Sequence, residues 1–169
     1  MRYDRNSKQF VPFLAGISAF GPTFSLDGKW VAFTSYPDHS LWRCHIDGSD
    51  RSQLTYPPVR VEYPFISADG KQVAIGTPEG DIYVVSMEGG APRKITGKRS
   101  YGASWSPDGN VLSYADYSDL GHTKFQLYDF HTGYRSVVPG SQDLIGVQRI
   151  AEDMLVAAPG DKSKLLSLI

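Results

Sequence analysis

Cysteine is almost absent: Cys44 stands alone among 169 residues, so the chain can form no internal disulfide. A single thiol within a β-rich stretch is expected to pack as a small hydrophobe. Long hydrophobic runs are missing too, and no stretch approaches the roughly 20 apolar residues that cross a bilayer as a helix. The opening MRYDRNSKQF lacks the apolar centre of a signal peptide, so no membrane insertion is expected and the compartment is left open. Nor is there an excess of charge of one sign. Seventeen basic and 18 acidic residues leave −1, which gives no overall field to draw in nucleic acid. No segment repeats its apolar residues at the 3.6-residue interval of an amphipathic helix. Turn and sheet formers abound instead, with 17 Gly, 11 Pro and 10 Tyr.

One ten-residue phrase recurs. FSLDGKWVAF (24–33) returns as ISADGKQVAI (66–75) and WSPDGNVLSY (105–114), which spaces the Asp-Gly pairs by 42 and then 39 residues. A second landmark keeps the same beat: LWRCHIDGSDRSQLT (41–55) aligns with IYVVSMEGGAPRKIT (82–96), and FQLYDFHTGYRSVV (125–138) has the same form. Two landmarks at one period identify a repeat protein.

Each unit reads as four short strands, A to D. Asp-Gly is the strongest two-residue hairpin signal, because a tight turn that matches strand twist needs positive φ. Strand A ends just before the pair and B follows it, at Trp30–Ser35 in the first unit. C and D come next, at 41–46 and 51–55. Four antiparallel strands every 40 or so residues form the blade of a β-propeller. The expected fold is therefore all-β. It comprises blades at 20–55, 61–96 and 101–138, a partial fourth at 146–169, and an outer closing strand at 9–14. In the fourth, A at 147–150 meets B at 154–157 through Glu152–Asp153, and C covers 164–169.

The element [F/W]-S-P-D-G-[K/N]-x-[V/L]-[A/S]-[F/Y] resembles the TolB-type, WD-like propeller repeat. Trp105 to Asn110 match it in full, Phe24 to Lys29 lack only the proline, and Ile66 to Lys71 lack the aromatic and the proline. The resemblance implies a propeller fold; for function it leaves open scaffolding, sensing and the gating domains of prolyl-oligopeptidase-like peptidases. Propellers of this type normally close with six to eight blades. About four blades, the last shared by the two termini, are then expected to close alone or to form half of an eight-bladed ring in a homodimer. Aromatic blade edges such as Trp30, Phe33, Trp105 and Tyr114 would give an open arc two apolar flanks to bury.

No catalytic constellation is visible. His39, His45, His122 and His131 form no metal-binding spacing. Gly102-Ala103-Ser104-Trp105-Ser106 lacks the second glycine of a nucleophile elbow and enters a strand, not a helix. Glu88-Gly89-Gly90 precedes no helix that would make it a phosphate loop. Arg93, Lys94, Lys98 and Arg99 read as a solvated blade edge. No cofactor and no metal are expected.

Binding is the better reading. The B–C and D–A connections differ among copies and share one face, where they gather Tyr36, Asp38, Arg60, Tyr63, Arg99, Tyr101, Asp116, Tyr117 and Asp119. Tyrosine with arginine and aspartate is the chemistry of a protein or peptide site. The expected function is a non-catalytic binding or scaffold module. The alternatives are a small-ligand sensor with its site in the central channel, or the propeller portion of a hydrolase.

Overall fold

The computed structural model describes residues 1–14, 16–97, 99–119, 122–151, 154–159 and 166–168. The expected hairpin at Glu152–Asp153, Lys98, and 164–165 and 169 of the last strand lie outside these residues. Among those described there is no helix. A hairpin of β1 (Arg2–Asp4) and β2 (Gln9–Val11) opens the chain. Three four-stranded antiparallel sheets follow. The first holds β3 (Ala19–Phe24), β4 (Trp30–Ser35), β5 (Leu41–His45) and β6 (Ser52–Gln53). The second holds β7 (Tyr63–Ile66), β8 (Gln72–Gly76), β9 (Ile82–Ser86) and β10 (Arg93–Lys94). The third holds β11 (Ser100–Trp105), β12 (Val111–Asp116), β13 (Lys124–Asp129) and β14 (Arg135–Val137). A three-stranded sheet of β15 (Leu144–Ala151), β16 (Met154–Pro159) and β17 (Leu166–Leu168) ends it.

The repeated phrase is a self-contained hydrogen-bonded turn. In the first blade Ser25 Oγ donates to Asp27 Oδ1 at 2.6 Å and accepts from the Trp30 amide at 2.9 Å, while the Lys29 amide donates to Asp27 Oδ1 at 3.0 Å. Ser67–Asp69 and Ser106–Asp108 repeat this arrangement. Gly28, Gly70 and Gly109 sit at φ +71°, +72° and +75°, the left-handed region that other residues enter at a cost. The donors hold the carboxylates in their charged form. Asp108, bonded by Ser106 and then Asn110, is lowered from 3.8 to about 2.

A second tie recurs at the opposite end of each blade. The amides of Leu41, Ile82 and Phe125, each opening the third strand or standing beside its start, donate to Thr55 Oγ1, Thr96 Oγ1 and Ser141 Oγ at 2.8, 3.0 and 3.0 Å. All three hydroxyl residues are buried, so each hydroxyl fills a place where water cannot serve. Adjacent blades are stitched by one backbone bond apiece: Val61 N to His39 O, Ser100 N to Gly80 O and Asp143 N to Thr123 O, at 2.8, 2.7 and 2.8 Å.

The cores lie between blades. Ala32, Leu41 and Leu54 pack on Val73, Ile75 and Val85; Ala74, Ile82 and Ile95 pack on Trp105, Leu112 and Tyr114; Ala115 and Phe125 pack on Leu144, Leu155 and Ala157. Burying each of the larger aliphatic side chains is worth roughly 1.5–3 kcal/mol, and the full burial needs two neighbouring blades. The outermost strands β6 and β10 are two residues long, which leaves little edge for another chain to extend.

Three expectations need correction. Phe33, Trp105 and Tyr114 are 0%, 8% and 2% exposed, and Trp30 is half-buried, so these rings are not open flanks. On the first blade's outer side Val31, Phe33 and Cys44 are covered by Phe13, Leu14 and Ile17. Residues 9–11 do not extend the last sheet; they pair with Arg2–Asp4. That hairpin copies β13–β14. Asp4 accepts from the Asn6 and Ser7 amides as Asp129 does from His131 and Thr132, and Lys8 at φ +54° stands where Gly133 has +69°. It therefore has the form of a C–D pair, and β1 and β17 are both third strands. Together with β15 and β16 they exceed one four-stranded blade.

Candidate binding face

The inner strands begin on the face where the B–C and D–A connections meet. Phe20, Tyr63 and Tyr101 occupy one register position there, paired with Thr34, Gly76 and Ala115, each six residues beyond its turn glycine. Strand geometry thus delivers an aromatic ring to the same end of three successive blades. After Phe20 and Tyr101 the pairing slips at Gly21 (φ +57°) and Gly102 (φ +67°), a bulge repeated at Gly146 in β15. The second blade carries Pro64 there, is one residue shorter to its turn serine, and pairs without a slip.

Tyrosines of the B–C connections join these rings. Tyr101 and Tyr117 meet edge to face, 5.7 Å between centroids. Tyr36 lies 6.3 Å from the His39 ring, which is 5.4 Å from Phe20. Tyr36, Tyr63 and Tyr101 are 61%, 60% and 46% exposed. Gly80 is required beneath Tyr101: a Cβ there would lie 2.8 Å from the tyrosine oxygen and 2.7 Å from the Arg99 amide nitrogen. The chain crosses so closely that Arg99 adopts φ +68° and accepts from the Tyr117 amide at 2.9 Å.

The expected acidic residues divide. Asp38 accepts from Ser35 and Ser40, which hold its carboxyl below the usual range. Burial would raise Asp116, but hydrogen bonds from Ser118 and Gln126 outweigh it and the carboxyl is lowered. These two shape their loops. Asp119 lines a hollow of about 260 Å³ with His122, Lys124 and Gln142, which none of the tyrosines lines. Arg60 and Arg99 are exposed. Phe20, His39 and Glu62 belong to the face but were not among the expected residues; the signal for Phe20 was its position five residues before the turn serine, shared with Tyr101.

Away from the face, other polar and aromatic side chains join the framework. His45 stacks on Trp30 at 3.9 Å, and Lys94 pairs with Asp81 at 2.6 Å. Arg93 lies over the Phe130 ring at 5.1 Å. Ser104 is on an inner strand, its carbonyl accepting from Ser113 Oγ at 3.0 Å. A hollow of about 630 Å³ follows the inner strands past Phe24, Phe65, Ser104, Trp105 and Gln148. No group of three or more His, Cys, Asp or Glu suited to a metal occurs among the described residues.

No family model matches the chain. It is 33% identical over 96 residues to the tricorn protease homolog 1 of Streptomyces coelicolor, a match covering 53% of this chain and 9% of that protein. A solved structure assigned as TolB from Agrobacterium tumefaciens aligns with TM-score 0.62 and 21% identity, over 88% of this chain and 61% of that one. TolB from Acinetobacter baumannii aligns with TM-score 0.61 and 17% identity, over 90% and 43%. At those identities the structural likeness establishes the fold alone. The chain spans less than a tenth of the length of its tricorn relative and under two thirds of both solved structures.

Proposed function

Because the chain has the TolB-type β-propeller fold, we propose that it is a non-catalytic module that binds a peptide or a protein segment through its loop face. The observation that carries this reading is the register-fixed set of Phe20, Tyr63 and Tyr101 on the inner strands, with Tyr36 and Tyr117 of the connections beside them, of which Tyr36, Tyr63 and Tyr101 are exposed and the other two half-buried. Rigid, partly exposed aromatic rings are the side chains that dominate binding energy in protein interfaces. Loops and strand ends on a fixed scaffold are where binding residues gather. Arg60 and Arg99 supply orienting donors at the rim.

A second reading has its own support. The 33% identity to a protein named as a tricorn protease homolog favours a propeller that serves a peptidase, binding or admitting peptides for a catalytic part elsewhere. Both readings give this chain the same task, peptide recognition without bond cleavage. Capture from a random peptide array, followed by amide chemical-shift mapping, tests it. Shifts gathered at residues 36–39, 60–63 and 99–101 support the loop face. Shifts confined to the 630 Å³ hollow of the inner strands would favour a channel ligand instead.

A further inference from the structure

We propose that the slot between the inner strands of the second and third blades is a side-chain pocket for a large apolar residue of a bound peptide, with an adjacent basic residue of that peptide held by Glu62. This rests on the loop face being a peptide site, and it assigns that site its sequence preference.

The slot holds about 250 Å³. Tyr63 and Tyr101 stand at its mouth, and Phe65, Ile82 and Ala103 line it. It exists because the second blade departs from the repeat. Where the first and third blades place Thr34 and Ala115, the second has Gly76, opposite Tyr63. Gly102, at the bulge of the facing strand, likewise contributes no side chain. An apolar cavity of about 150 Å³ accepts benzene, so this volume takes a phenylalanine or leucine side chain.

The two small hydroxyls of the lining are already engaged. Thr77 Oγ1 accepts from the Asp81 amide at 3.2 Å, and Ser100 Oγ donates to the Gly97 carbonyl at 3.3 Å. A polar side chain entering the slot would lose water and gain little, which selects for an apolar one. Glu62 is the carboxylate of the lining, and among the described residues no cation pairs with it. Its amide is fixed to the Gly76 carbonyl at 2.9 Å, which sets the residue beside the slot. A free carboxylate next to an apolar recess is complementary to a cation next to an apolar side chain.

The test uses the full chain and three capped, fluorescein-labelled hexapeptides of glycine and serine. The first carries adjacent phenylalanine and lysine, the second alanine and lysine, the third phenylalanine and glutamate. Fluorescence anisotropy gives each Kd for the native chain, Gly76→Thr and Glu62→Lys. A Cβ at Gly76 meets nothing within 4 Å, and threonine fills the same register position in the first blade, so this variant retains the fold while narrowing the slot. The native chain should prefer the first peptide over each of the others by about tenfold, and Gly76→Thr should erase the preference for phenylalanine. Glu62→Lys should reverse the preference between the lysine and glutamate peptides. Equal binding of the phenylalanine and alanine peptides, or an unaltered preference in Gly76→Thr, overturns the slot and leaves the loop face standing. Absence of binding by every peptide overturns both.

Discussion

The indole Nε1–H of Trp105 donates to the carbonyl oxygen of Phe65 at 2.8 Å, tying the inner strand of the third blade to that of the second. The donor is the aromatic of the full turn motif, so one residue both closes its own blade's hairpin and fastens the neighbour. Its ring also stacks on Phe130, 5.2 Å between centroids. Trp105→Phe keeps an aromatic ring, removes the donor and leaves a smaller side chain in a buried place. It should destabilise by about 1–3 kcal/mol in urea unfolding. No change in the urea midpoint would mean that the two inner strands are not joined in this way.

The turn glycines should differ in sensitivity. Gly28 and Gly109 share positive φ, but a Cβ at Gly109 would lie 3.4 Å from Asp69 Cγ, whereas one at Gly28 meets nothing within 4 Å. Asp69 is held by Ser67 and Lys71 and yields poorly. Gly109→Val should cost about 1–3 kcal/mol, and more than Gly28→Val. Equal melting temperatures for the two variants would contradict the contact between turns.

Acid should act on the turns with a defined sign. The native carboxyl of Asp108 titrates at about 2, below its ordinary 3.8. A depressed value contributes stability that is present above the ordinary value and is lost as pH falls through the native one. Asp108→Asn should therefore lower the melting temperature at pH 6, with the gap to the native chain closing between pH 4 and pH 2. A gap that is constant across that range would show that the carboxylate's charge is not what the turn uses.

Close packing under Tyr101 makes Gly80 a support of the loop face. Gly80→Ala introduces a Cβ 2.7 Å from the Arg99 nitrogen, at φ +77°, and should cost roughly 2 kcal/mol or more. Amide hydrogen exchange should then quicken first at residues 99–101 and 117. Uniform quickening over all blades would argue against a local support.

Much of this was legible because the informative residues are neighbours in sequence. Ser25, Asp27, Gly28 and Trp30 complete their hydrogen bonds within one hairpin, so the ten-residue phrase alone reveals the turn and the period. The β1–β2 hairpin was hidden because Lys8 takes the positive φ that Gly133 takes in its counterpart. Gly21 and Gly102 act as bulges within β3 and β11, a role their place in the sequence does not announce. The tyrosines of the face were legible as loop residues. Their common register with Phe20, and the slot left open at Gly76, arise only when neighbouring strands and blades stand side by side.

The most direct test of the loop face is the affinity of an array-selected peptide for the native chain and for the triple variant Tyr36→Ala, Tyr101→Ala, Tyr117→Ala. These rings cluster on that face and are exposed or partly so, and truncating hot-spot aromatics costs about 2 kcal/mol or more each, which predicts loss of measurable binding with an intact fold. A control variant, Lys29→Ala with Lys71→Ala on the opposite face, should bind as the native chain does. Undiminished affinity in the triple variant, or equal loss in the folded control, would contradict the assignment.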